Sequence, residues 1–242
     1  MKAITLALII FSLSMFSTTS HSATYTVAAY PWEPFIDPSR SDGGISIKIL
    51  QEVMLSQGHE IDVQPMPWGK ALAVTEKGDV DILPGIWFSE ERDKIMHYSE
   101  PYTYNRIVFV KHKSDSYEYK GIDSLNGKKV GIIKNYAYNE ELLANGAIQF
   151  SKSSSLVRNM ENVASQRIDL TLDDEIVIKA TTSADVLANV AFTKDAFSEK
   201  GLSITCYKSN RSCESIISSF NKGLKEMQEN GKLKTLLDQL GI

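Results

Sequence analysis

PWGKALAVTEKGDVDILPGIWFSEERDKIMHYSEPY, residues 67–102, holds the densest information in this chain. An aromatic residue precedes an amphipathic segment, GDVDI turns into an apolar strand, and GIWFSEER opens a further helix. Ser89 suits the capping position, where its oxygen accepts from a free backbone N–H, and Glu90 and Glu91 suit the positive end of the helix dipole. Arg92 belongs to the same turn. A planar guanidinium beside unpaired helix N–H groups makes a fork for a carboxylate. The competing reading is a solvated charge at an exposed helix start.

The same grammar continues in both directions. Short apolar runs at 24–29, 61–63, 80–83, 107–110, 129–133, 168–172 and 202–207 read as strands of a buried sheet. Ile47, Leu50 and Met54 recur on one helical face after SDGG, and Ile216, Phe220, Leu224 and Met227 recur near the end. Gly231 interrupts that period before a last apolar face of Leu233, Leu236, Leu237 and Leu240. Strand and helix in alternation predict an α/β protein.

Met1 and Lys2 precede an uncharged apolar run, Ala3 to Phe16, and a small polar stretch, Ser17 to Ala23. This is the pattern of a secretory signal peptide over residues 1–23, cleaved near Ser22 or Ala23, and it is too short and wrongly flanked for a membrane anchor. A periplasmic address follows. The 26 basic and 30 acidic residues give a net charge of −4, with no basic face, which disfavours nucleic acid or an anionic membrane as partner. Cys206 and Cys213 lie in the exported part, where an oxidising compartment favours a disulfide stapling the loop YKSNRS; the alternative is two free buried thiols.

Trp68, Gly78, Asp81, Gly85, Ser89, Arg92, Tyr98, Ser99, Pro101 and Tyr102, in that order, resemble the pattern of the bacterial extracellular solute-binding proteins, family 3, the periplasmic amino-acid-binding type that serves ABC transporters. YPWEPF from Tyr30 to Phe35 resembles the family's first strand-to-loop motif, GKKVGI from Gly127 to Ile132 its second-lobe strand, and QRIDLTLDD from Gln166 to Asp174 its acidic strand end. The resemblance spans nearly the whole exported chain. It implies a two-lobed periplasmic binding protein fold, type II-like, with a ligand cleft between lobes joined by two crossover segments. Lobe one then comprises 24–107 and 201–242 and lobe two 108–200, with 112–121 and 192–201 as the expected crossings. It also implies a monomer that captures a small polar ligand, an amino acid or related carboxylate, for an ABC permease, with no cofactor, no metal and no catalytic step.

The resemblance proposes the site residue by residue. Trp32 matches the family's stacking aromatic, whose ring offers apolar area and a face for an ammonium; ordinary core packing is the competing role. Trp68 stands at a cleft-facing position, Trp87 two residues before Ser89, and together with Arg92 they suggest an apolar slot with one anion anchor. Asp174 falls where family members place the acid that holds an α-amino group, although an Asp at that point also serves to cap the helix beginning at Glu175. The chain departs from the family at two places. Trp87 replaces a Thr or Ser, and Asn135-Tyr136-Ala137 replaces a Gly-Thr-Thr type turn, so two hydroxyl donors to a ligand carboxylate are missing. Asn135 is expected to cap the next helix and Tyr136 to offer a phenol to the ligand.

Other chemistries find less support. His59, His97 and His112 lie in separate segments without metal-ligand spacing, and Asp173, Asp174 and Glu175 are adjacent carboxylates that cannot all turn inward on one cation. There is no G-x-S-x-G, no H-E-x-x-H and no phosphate-cradling glycine loop. The alternatives to a binding protein are an enzyme resembling the periplasmic cyclohexadienyl dehydratases, with Glu33, Asp174 or Glu175 as acid or base, and a ligand-loaded sensor for a membrane receptor.

Overall fold

A computed structural model describes residues 22–241. The expected signal peptide, 1–23, lies outside the described residues except for its last two positions. The chain runs through β1 (Thr24–Ala29), α1 (Ile45–Ser56), β2 (Glu60–Pro65), α2 (Trp68–Thr75), β3 (Leu83–Trp87), the single turn α3 (Glu90–Asp93) and β4 (Met96–Tyr98). A long strand, β5 (Thr103–His112), leads to β6 (Lys129–Ile133), α4 (Glu140–Ala144), β7 (Gln149–Ser153), α5 (Leu156–Ala164), β8 (Leu170–Asp174), α6 (Glu175–Thr181) and α7 (Ala184–Leu187). The longer β9 (Val190–Tyr207) returns, followed by α8 (Cys213–Glu229) and α9 (Lys232–Leu237).

Two lobes result. In the first, β1 and β2 pair in parallel, and the parallel bridge Val27↔Ile82 passes the same direction on to β3. In the second, β6 is parallel to both β7 and β8. Between them β5 and β9 form an antiparallel ribbon from Thr103↔Leu202 to His112↔Val190; at one end β9 also pairs with β3 and β4, and at the other β5 pairs with β8. The register slips after Ile107 and again after Val108, and such bulges bend a ribbon. The bend therefore falls on β5 itself, before the stretch 112–121 that the sequence offered as a crossing. That stretch stays beside the second lobe, with the Lys113 N–H donating to the Asn189 carbonyl at 3.0 Å and the buried Lys111 ammonium 2.8 Å from Glu118.

Helix periodicity packs the first lobe. Ile49, Leu50, Val53 and Met54 of α1 are buried, as are Ile216, Phe220, Leu224 and Met227 of α8 at three- and four-residue steps. The two helices meet at Gly223, where a side chain would stand 2.9 Å from Val53. Strand limits differ from the sequence expectation where side chains redirect the backbone. The run 80–83 becomes a strand only from Leu83, because the Asp81 carboxylate turns back to accept from Thr26 N at 2.9 Å and Thr26 Oγ1 at 2.8 Å.

Candidate functional site

The carboxyl ends of β1, β2, β3 and β6 converge on one crevice, and β8 ends at a separate groove. Trp32 follows β1, Trp68 follows β2, Trp87 ends β3 with Arg92 just beyond, Tyr136 follows β6 and Asp174 ends β8. That end of an α/β sheet is where connections turn away and leave room for ligands. A cleft of about 550 Å³ opens there, lined by Trp32, Glu33 and Trp68 from one lobe and by Asn135, Tyr136 and Ser155 from the other.

The three tryptophans and Tyr136 make one aromatic cluster. Ring centroids lie 6.0 Å apart for Trp32 and Trp87, 5.2 Å for Trp87 and Tyr136 and 5.8 Å for Trp68 and Tyr136, all edge to face. Trp87 is held by its indole N–H, which donates to Asn105 Oδ1 at 2.7 Å from the middle of the ribbon. Gly85 has φ 68, and its carbonyl accepts from the Tyr30 hydroxyl. A Cβ there would stand 3.2 Å from that hydroxyl, so both conformation and close approach favour glycine.

Arg92 is buried at 9 % exposure, and the Arg92 N–H donates to Ser89 Oγ at 3.4 Å, the capping bond expected from the sequence. Its guanidinium carbon lies 5.7 Å from the centre of the Trp68 ring, and Nη2 donates across the cleft to the Asn135 carbonyl. The guanidinium is thus an interior group facing the other lobe, which sets aside the solvated-charge alternative. Asn135 does not cap a helix. Asn139 does, its Oδ1 accepting from Glu141 N at 2.8 Å, while Asn135 takes the left-handed φ of 64 that Asn tolerates and so turns its carbonyl toward Arg92.

Asp174 is placed differently from the aromatic residues. It is 1 % exposed, its Oδ1 accepts from Ile176 N at 2.9 Å and Val177 N at 3.0 Å, and its Oδ2 accepts from Arg106 N at 3.1 Å. It borders a separate groove with Tyr104, Arg106, Glu175 and Lys179. The physical reason is local. Helix α6 begins directly after β8, and its first N–H groups take the nearest carboxylate. Burial pushes the Asp174 carboxyl upward while the bonds from the Val177, Ile176 and Arg106 N–H groups pull it back.

Sequence reasoning missed Asn105, and it weighed Asp173 only as one of three adjacent carboxylates. Both are fully enclosed, and both leave a polar atom, Asn105 Nδ2 and Asp173 Oδ2, without a protein partner among the described residues. Burial raises the Asp173 carboxyl to about 8. A signal for each exists in the sequence. Thr103, Asn105, Ile107 and Phe109 alternate on one face of β5, which puts an amide in line with core residues, and two acids in succession on a strand must enter two environments.

The expected disulfide is formed, Cys206 to Cys213, with Cα atoms 5.5 Å apart, joining the end of β9 to the start of α8. Asn210 in its loop donates to Asp81 Oδ1 at 2.8 Å.

The family model for bacterial extracellular solute-binding proteins, family 3, matches residues 24–241. The chain is 26% identical over 202 residues to the L-cystine-binding protein TcyJ of Escherichia coli (strain K12), covering 81% of this chain and 73% of that one. Among solved structures, the amino acid ABC transporter substrate-binding protein AbpA of Streptococcus pneumoniae, bound to L-arginine, superposes with a TM-score of 0.73 at 22% identity, over 90% of this chain and 94% of that one. The ancestral amino-acid-binding protein AncCDT-1, a precursor of cyclohexadienyl dehydratase, gives a TM-score of 0.72 at 20% identity, over 90% and 95% of the two chains. At these identities the structural matches establish the fold.

Proposed function

This chain belongs to the bacterial extracellular solute-binding proteins, family 3, and from that membership we propose that it captures an amino acid or a related small carboxylate in the periplasm for an ABC importer. The observation that carries the reading is Arg92. A buried guanidinium, held by a capping serine and facing the opposite lobe among aromatic rings, is built to receive a carboxylate. In this reading a ligand carboxylate takes the place of the Asn135 carbonyl. Trp32, Trp68, Trp87 and Tyr136 supply the apolar walls, Ser89 positions Arg92, and Asp174 fixes α6 and β5 behind the second wall.

Lobe one comprises 24–107 and 201–242, lobe two 108–200, and they close on the ligand by bending of the β5–β9 ribbon at its bulges. The protein works as an exported monomer after loss of residues 1–23, and it returns its ligand chemically unchanged. Denaturing extraction of the purified protein followed by mass spectrometry identifies the bound compound. Recovery of an amino acid or small carboxylate supports the reading; recovery of only apolar or phosphorylated compounds refutes it.

One observation favours an enzymatic alternative. A carboxyl held near neutrality, as Asp173 is, suits general acid–base work. Incubating the extracted compound with excess protein separates the two, since a binding protein yields it back unaltered and a dehydratase-like enzyme yields a new product.

A further inference from the structure

Two adjoining spaces of very different size make up the binding region. The inner one, beside Arg92 and Trp87, has about 20 Å³, room for roughly one water, and the outer cleft has about 550 Å³. Tyr30, Trp32, Trp68 and Tyr136 line both. A carboxylate that reaches Arg92 by displacing the Asn135 carbonyl therefore fills the inner slot with a single head group. The outer cleft, within the range of about 300–1,000 Å³ that takes drug-sized ligands, is left for the rest of the molecule.

The outer cleft offers charge of both signs. Of the side chains lining it only Glu33 and Lys134 are ionic. Glu33 follows Trp32 in the first lobe and is half-buried, and Lys134 follows β6 directly in the second and is exposed. Neither belongs to an ion pair among the described residues. On an ordinary face such charges are simply solvated. These two come from opposite lobes onto one cleft, an acid suited to an ammonium and a base suited to a carboxylate.

The shared wall adds donors. The indole N–H of Trp87 is satisfied by Asn105, but those of Trp32 and Trp68 are buried and have no acceptor among the described residues. A buried donor in that state calls for an explanation, and a ligand rich in oxygen supplies one.

We propose that the ligand carries two amino-acid heads. The carboxylate of one lies on Arg92 in the inner slot, and the other head lies in the outer cleft, its ammonium toward Glu33 and its carboxylate toward Lys134. This rests on the amino-acid reading of the cleft and narrows it to α-amino acids joined through their side chains, longer than a single amino acid and without net charge.

Calorimetric titration of wild type, Glu33→Gln and Lys134→Gln tests this with L-cystine and L-cystathionine, which have two heads, and with L-methionine and S-methyl-L-cysteine, which keep the thioether and have one. In wild type the two-headed compounds should bind about tenfold or more tighter than the one-headed ones, because two further charge-assisted contacts form. That preference should shrink by about tenfold in Glu33→Gln and by about fivefold in Lys134→Gln, since the more exposed pair is worth less. Equal affinity for the two classes in wild type, or a preference that survives both substitutions, overturns the proposal and leaves the amino-acid reading standing. A loss that falls alike on one-headed and two-headed compounds also overturns it, because the two charges then serve any ligand of the cleft. Failure of all four compounds to bind overturns the proposal, and the amino-acid reading falls with it only if denaturing extraction yields no amino acid or small carboxylate. The wild-type preference is read on the unaltered protein, so the test stands even if a variant folds poorly.

Discussion

The two walls of the cleft follow opposite plans. The first, at the ends of β1, β2 and β3, is three tryptophans and a guanidinium, braced by residues of the family pattern. Asp81 holds Thr26 and Asn210, Ser99 Oγ accepts from Ile204 N at 3.0 Å, and the Tyr102 hydroxyl donates to Ser46 at 2.8 Å. The second, after β6, is a phenol and a main-chain carbonyl, from Tyr136 and Asn135, and each wall carries one of the chain's two departures from its family, Trp87 on the first and Asn135-Tyr136-Ala137 on the second. The contrast separates two kinds of information. The pattern that marks membership describes the frame of the first wall more fully than it describes the second.

The largest effect is expected where the walls meet. Arg92→Ala should lower affinity for the extracted ligand by about thirtyfold to several thousandfold, because it leaves a carboxylate unpaired in the closed cleft. Near-normal affinity in calorimetry would move the anion anchor off the first wall and break the contrast. Next in size is the frame of that wall. Reducing Cys206–Cys213 should cost about 2 kcal/mol by loop closure, with ligand affinity retained, as chemical denaturation with and without reductant will show. Loss of binding on reduction would mean that the tie from the disulfide loop through Asn210 to Asp81 also shapes the aromatic slot. The smallest effect lies behind the second wall. Asp174→Ala should lower stability by about 1 kcal/mol through its lost helix cap while binding persists. An affinity loss equal to that of Arg92→Ala would restore Asp174 to the ligand and erase the distinction drawn between the cleft and the separate groove.

Much of the frame was legible in the sequence because it depends on repetition. The apolar run 129–133 is β6 residue for residue, and the periods around Leu50 and Phe220 are the buried stripes of α1 and α8. What escaped depends on partners. β7, with sequence QFSKS, lacks an apolar run and owes its shape to pairing with β6, and the first half of β9, whose apolar residues are interrupted by Thr193, Lys194 and Asp195, is held by β5. Trp32, Trp68, Trp87, Arg92 and Tyr136 were named from the resemblance, and the structure gathers them at one crevice. Asn105 was not named and Asp173 was considered only for a cation and set aside, since a polar residue inside a strand declares its environment only when the opposing elements are in place. The turn at Asn135 escaped for a related reason. Its oxygen belongs to the main chain, which the sequence does not spell out.

That oxygen has a further consequence for how such a protein can change over generations. The acceptor facing Arg92 is a carbonyl, common to all twenty residue types, so ordinary point substitutions cannot delete it. They can only alter how willingly the backbone keeps a φ of 64, with Gly and Asn favouring it and β-branched residues opposing it. Selection can therefore grade the strength of this cross-lobe contact through the identity of one residue while the contact itself is inherited intact, so that readiness to close becomes adjustable without rebuilding the slot in which the ligand sits.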